Sequence, residues 1–94
     1  MTKGNHIHLT AICGMGMGAF AGLLKEAGYK VTGSDQNVYP PMSDKLRDMG
    51  IELMSPYSPD NVKSNPDMVI VGNAIKKDNP EILAVMEKNI PYMF

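Results

Sequence analysis

Three glycines at alternate positions, Gly14, Gly16 and Gly18, separate an apolar run from Ile7 to Ile12 from a pattern of Phe20, Leu23, Leu24 and Ala27 that stops at Gly28. The run is short and rich in β-branched residues, which predicts a buried strand. The spacing beyond it predicts a helix with a glycine stop. A glycine-rich turn feeding a helix from a buried strand is the opening unit of a doubly wound α/β domain, and it presents backbone amides where such sheets bind phosphates.

The rest of the chain repeats the unit. Tyr29 to Gly33 predicts a second strand, and Asp35 to Pro41 a loop, because consecutive prolines cannot join a ladder. Ser43 is placed to cap a helix from Asp44 to Met49 that Gly50 ends, followed by a third strand from Ile51 to Met54. Ser58-Pro59-Asp60 carries a helix-start signature, Met68 to Gly72 is a fourth strand, Asn79-Pro80-Glu81 opens a helix to about Lys88, and Ile90 to Met93 is a fifth strand. Strict alternation predicts a Rossmann-like, three-layer α/β fold with a five-stranded parallel sheet in the order 3-2-1-4-5 and helices on both faces.

At 94 residues, 44% hydrophobic, the chain has room for one domain, residues 1–94. Nine basic against ten acidic residues give a net charge of -1, so neither a nucleic acid nor an anionic membrane surface is an expected partner. No apolar stretch reaches the ~18 residues of a membrane span. The single cysteine, Cys13, cannot form an intrachain disulfide, which fits a reducing compartment; a cytoplasmic location is expected.

Candidate binding residues collect at the predicted carboxyl ends of strands. Gly14-x-Gly16-x-x-Ala19 fits the permissive dinucleotide fingerprint, whereas Ala11-x-Cys13-x-x-Gly16 keeps its spacing with two glycines replaced. The glycines either cradle a phosphate or only permit a tight turn and close packing. No Lys or Arg lies between His6 and Lys25, so an anion here relies on amides and the helix dipole, worth ~0.3–2 kcal/mol per charge. Asp35, with Ser34, Gln36 and Asn37, falls where a carboxylate meets the ribose or base end of a nucleotide, and Tyr39 either stacks there or packs under the loop. Asn73 in Gly72-Asn73-Ala74 faces the same crevice across the topological switch point, unless it merely suits a left-handed turn. Lys76 and Lys77 read as solvated charges.

His6 and His8 share a strand face but no third clustered ligand accompanies them, so no metal is expected. Cys13 has no adjacent base and reads as a small buried side chain, and most of the nine methionines as core filler. There is no Gly-x-x-x-x-Gly-Lys-Ser/Thr loop to hold ATP and magnesium, and no nucleophile-base pair, so no catalytic residue or cofactor is expected within this chain.

At this point the chain resembles the Mur ligase family, ATP-dependent enzymes that add amino acids or peptides to UDP-N-acetylmuramic acid. His8 to Gly16 looks like the family's first strand and glycine turn, Val31 to Asp35 like its second strand, and Ala74-Ile75 with Asp78-Asn79-Pro80-Glu81 like the entry to a later helix. Asn37 to Ser43, Gly72-Asn73-Ala74 and Glu87 to Met93 are similar to a peptide-adding branch rather than the alanine-adding one, whose turn holds more glycine than Ala11 and Cys13 allow. The resemblance implies an N-terminal domain holding the UDP moiety. Gly14, Met15, Gly16 and Met17 would offer amides to the pyrophosphate, Asp35, Gln36 and Asn37 would line the uridine end, and Asn73 and Ala74 the opposite wall. It also implies a central domain with ATP and Mg, and a C-terminal domain that receives the amine, both outside a chain whose last strand stops at Phe94. The alanine-adding branch of the same family is the near alternative, and two readings of another class share the glycine turn: the cofactor domain of an NAD-dependent oxidoreductase, disfavoured by five strands and by Tyr39-Pro40-Pro41, and a stand-alone nucleotide sensor.

Overall fold

A computed structural model of the chain describes residues 5–14, 16–73 and 75–94. It contains β1 (His6–Thr10), α1 (Met17–Glu26), β2 (Lys30–Ser34), α2 (Met42–Asp48), β3 (Glu52–Met54), a 3-10 helix (Pro59–Val62), β4 (Met68–Val71), α3 (Pro80–Glu87) and β5 (Tyr92–Met93). The five strands form one sheet in the order β3-β2-β1-β4-β5, all adjacent pairs parallel, as the alternation predicts.

Register decides which residues meet on each face. Leu9 lies beside Gly33 and Ile70, and His8 beside Thr32 and Val69. One face therefore carries Ile7, Leu9 and Val31, which pack with Ile12, Ala21 of α1, Leu46 of α2 and Ile51 into one core. On the other, Val69 and Val71 pack with Val62, Ile82, Val85 and Ile90 into a second core under α3 and the 3-10 helix. The β1–β2 half of this second face is polar: His8, Thr10, Thr32 and Ser34 are all buried there.

Close approach explains Gly33. A Cβ on it would lie 2.3 Å from Cδ1 and 2.7 Å from Cβ of Ile12, so the residues after β1 can fold down over β2 only above a glycine.

Several local expectations are corrected. β1 ends at Thr10, not Ile12, because Ala11 turns to a positive φ of 72° and the N–H groups of Ala11 and Ile12 both donate to the Ser34 carbonyl, at 2.8 and 3.0 Å. In α1 the inward residues are Gly18 and Ala21, while Phe20, Leu23 and Ala27 are exposed. Met17 and Leu24 pack partly against the same core, and α2 comes close at Gly18, where a Cβ would sit 3.2 Å from the Met42 sulfur. Ser43 does not cap α2, which starts at Met42, two residues before the expected Asp44, with Pro41 at its N-cap; the Ser43 hydroxyl is buried in the first turn with no partner among the described residues. Ser58 does cap, accepting from the Asp60 N–H at 3.1 Å, but the helix it opens is a single 3-10 turn.

Candidate functional site

The chain leaves β1 at the point where its neighbours β2 and β4 lie on opposite sides, which is the topological switch point of the sheet. Two depressions flank the turn. One, on the β2 side, encloses about 350 Å³ between Ala11, Cys13 and Gly14 of the turn, Asp35 and Asn37 after β2, Tyr39 to Met42, and Tyr57. The other, on the β4 side, encloses about 420 Å³ between the same Ala11 and Gly14, Gly16, Met17, Gly72, Asn73 and Phe94. Ala11 and Gly14 border both, so the turn forms a ridge with a chamber on each flank.

The ridge is held from β2. Besides the two bonds to the Ser34 carbonyl, the Cys13 N–H donates to Oδ2 of Asp35 at 3.0 Å. Asp35 Oδ1 accepts from the Asn37 N–H at a long 3.4 Å. Asp35 therefore ties the turn to its own loop while lining the β2-side chamber. The N–H of Gly14 donates to the Ala11 carbonyl at 3.0 Å and that of Met17 to the Gly14 carbonyl at 3.1 Å, so these two amides close the turn on itself. Gly16 stands at the N-cap of α1 with φ 85°, and the first turn of the helix holds no acidic residue, which favours a negative charge there.

Asp35 is the charged residue lining the β2-side chamber, and Arg47 lies close enough to oppose it in part at Cys13. Burial and then the Asp35 carboxylate raise the Cys13 thiol, which keeps it protonated, and Cys13 is half-buried rather than buried. The Tyr57 phenol is pushed up to about 12 by burial and then by Asp35, against a bond to the Gln36 main chain. Tyr57 thus presents a neutral hydroxyl and an aromatic wall.

Among the residues expected at the site, Gly14, Asp35 and Asn37 line the first chamber, and Gly14, Gly16, Met17 and Asn73 the second. Gln36 is exposed and lines neither, and Tyr39, two-thirds exposed, stands at the rim. Met15 and Ala74 lie outside the described residues. Lys76 and Lys77 are exposed, as expected of solvated charges. His6 bonds Thr32 through Nε2 at 2.7 Å, and burial, then Lys30 and His8, lower it below an ordinary histidine. Among the described residues no three His, Cys, Asp or Glu side chains gather as a metal site. Nor does any helix there have the length and apolarity to cross a membrane.

Sequence reasoning missed Tyr57 and the buried carboxylate of Glu81, which accepts from Thr10, Ser34, His8 and Asn61 beneath the crevice. The available signal for Glu81 was the polar alternation His6, His8, Thr10 along an otherwise apolar strand, repeated as Thr32 and Ser34 on its neighbour.

An all-parallel sheet with a glycine turn and a chamber on either side of its switch point defines a doubly wound α/β domain. The profile described as "Mur ligase family, catalytic domain" matches residues 6–93, and the chain belongs to that family. It is 53% identical over 87 residues to the UDP-N-acetylmuramate–L-alanyl-gamma-D-glutamyl-meso-2,6-diaminoheptandioate ligase of Escherichia coli K12, covering 93% of this chain and 19% of that protein. To the UDP-N-acetylmuramate–L-alanine ligase of Lactobacillus acidophilus it is 42% identical over 93 residues, covering 98% and 21%. The crystal structure of a murein peptide ligase from Psychrobacter arcticus superposes with a TM-score of 0.91 at 40% identity, over 96% of this chain and 19% of that one. The chain thus spans about a fifth of the length of the relatives it matches.

Proposed function

We propose that the chain is the N-terminal, UDP-binding domain of a cytoplasmic ATP-dependent ligase that joins L-Ala-γ-D-Glu-meso-diaminopimelate to UDP-N-acetylmuramic acid in peptidoglycan recycling. The carrying observation is the ridge at the switch point with a chamber on either side, a shape suited to a nucleotide whose phosphates cross the turn. In this reading Gly14, Met15, Gly16 and Met17 border the pyrophosphate, with the start of α1 supplying the favourable dipole. Asp35, Gln36 and Asn37 meet the uridine end beside the Tyr57 wall, and Asn73 and Ala74 form the β4-side wall. The turn bonds of Gly14 and Met17 narrow the amide supply, so more of the anion's stabilisation falls to Gly16 and the helix start.

The share of its relatives' length that the chain covers supports assigning ATP, Mg and the reacting amine to other domains of the same protein. The residues here do not fit a magnesium-nucleotide triphosphate, because the sequence holds no lysine-bearing phosphate loop. Greater identity to the peptide-adding relative than to the alanine-adding one favours the tripeptide as the parent's second substrate.

Calorimetric titration of the chain with UDP-N-acetylmuramic acid, UDP and NAD tests the reading. Saturable binding of both uridine compounds with a Kd of ~0.1–1 mM is expected, equivalent to ~4–5.5 kcal/mol. Preferential binding of NAD would establish the oxidoreductase alternative instead, and binding of UDP without any response to the muramic acid sugar would favour a nucleotide sensor.

A further inference from the structure

Glu81 lies on the first turn of α3, fully buried, and its carboxylate takes donors from three other elements. Oε2 accepts from Oγ1 of Thr10 at 2.6 Å, Oγ of Ser34 at 2.6 Å and Nε2 of His8 at 3.1 Å; Oε1 accepts from Nδ2 of Asn61 at 2.7 Å. A carboxylate only accepts when ionised, so His8 presents an N–H at Nε2, and Thr32 links its Nδ1 to Nε2 of His6. Such a fully satisfied buried charge fixes the atoms around it more tightly than apolar contacts can.

The groups it fixes are the ones next to the crevice. Thr10 immediately precedes Ala11, the start of the ridge, and Ser34 immediately precedes Asp35. The Ser34 carbonyl holds the Ala11 and Ile12 amides, and the Asp35 carboxylate holds that of Cys13. Asn61, through its second bond to the Pro56 carbonyl at 2.9 Å, anchors the loop that carries Tyr57.

We propose that Glu81 is a positioning residue for the crevice: through Thr10, Ser34 and Asn61 its carboxylate sets the ridge, Asp35 and Tyr57 at the spacing a uridine nucleotide needs. This rests on the UDP-binding reading for its ligand, and on the hydrogen bonds alone for its geometry. Glu81 touches no ligand itself. A glutamine there keeps the volume but turns one accepting position into a donor that faces donors, and His8 cannot reverse its bond without changing tautomer.

The test compares the chain with its Glu81→Gln and Val85→Ala forms, at a temperature where melting curves show all three folded. Val85 is equally buried on the same helix and packs only in the apolar core, so its truncation loosens α3 without touching the carboxylate. UDP titration is expected to show about tenfold weaker binding for Glu81→Gln, equivalent to ~1.4 kcal/mol, and an unchanged Kd for Val85→Ala. Equal binding by wild type and Glu81→Gln would overturn the inference and leave the UDP reading standing. If wild type itself binds no UDP, that reading fails, and the backbone amide resonances of Cys13 and Asp35 decide the inference. They are expected to move in Glu81→Gln and not in Val85→Ala, and unmoved resonances would overturn it. Should Glu81→Gln not fold, Thr10→Val and Ser34→Ala each remove one donor; both are expected to weaken UDP binding and shift the same amides, and no effect from either overturns the proposal.

Discussion

Acid should unfold this protein partly through Glu81, and the size of the effect follows from its surroundings. Burial on its own would raise the carboxyl, but the hydrogen bonds from His8, Ser34 and Thr10 outweigh it and hold the group down from 4.5 to about 2. A carboxyl depressed by folding contributes stability that is fully present above its unfolded value and is lost as the pH falls toward its folded one. Here the window runs from 4.5 down to about 2, and the full contribution is roughly 3 kcal/mol, of which roughly 2 kcal/mol is gone by about pH 3. His8 and Tyr57 are the titratable side chains beside it, from β1 and from the loop before the 3-10 helix. Other carboxylates also titrate in this range, so the useful quantity is the stability gap between wild type and Glu81→Gln, taken from urea unfolding at a series of pH values. The gap is expected to be constant from about pH 7 to about pH 5.5 and to shrink by roughly 2 kcal/mol at about pH 3. A gap that stays level through the window would refute the reasoning, because it would mean that the carboxylate is no better stabilised folded than unfolded.

Two further substitutions probe the scaffold. Gly33→Ala drives a methyl into fully buried Ile12 and is expected to cost about 2–4 kcal/mol in urea unfolding, with the penalty falling by about 1 kcal/mol when Ile12→Ala is made beside it. Asn79→Ala removes the side-chain oxygen that accepts from the Glu81 N–H at 2.9 Å, and should lower stability by about 1 kcal/mol with no effect on UDP affinity beyond that of the unfolded fraction.

The sheet was legible because each strand and helix announces itself within a few residues. Gly28 and Gly50 stand at positive φ after their helices, Pro80 sits at the first helical position behind a capping Asn79, and alternation of elements then leaves few topologies. The inward face of α1 was not legible, because Phe20 and Leu23 advertise a hydrophobic stripe while buried Ala21 and Gly18, the latter close under Met42 of α2, carry no such signal. Of the residues that line the two chambers, those near the glycine turn could be anticipated from the fold alone. Tyr57 could not, since no local pattern marks the side chain of a loop that returns to the crevice.

Glu81 was hidden for a related reason, and its concealment bears on how the turn works. Its partners Thr10 and Ser34 lie 71 and 47 residues away in sequence, and a glutamate in the first turn of a helix is an ordinary thing to meet on a surface. Ala11 adopts φ 72° where a glycine would do so freely, a conformation that costs a side-chain-bearing residue ~1 kcal/mol or more. Such a residue stays put only if the surroundings over-determine it, and here they do: the Ser34 carbonyl takes two amides, Asp35 takes a third, and Glu81 pins Ser34 and Thr10 from below. A turn with fewer glycines is stiffer in itself but needs more outside contacts to hold its shape. The buried carboxylate and the alanine at the ridge are therefore two parts of one arrangement. In a double-mutant cycle of amide shifts at Cys13 and Asp35, the effect of Glu81→Gln is expected to be smaller beside Ala11→Gly than alone, an equal effect refuting the coupling.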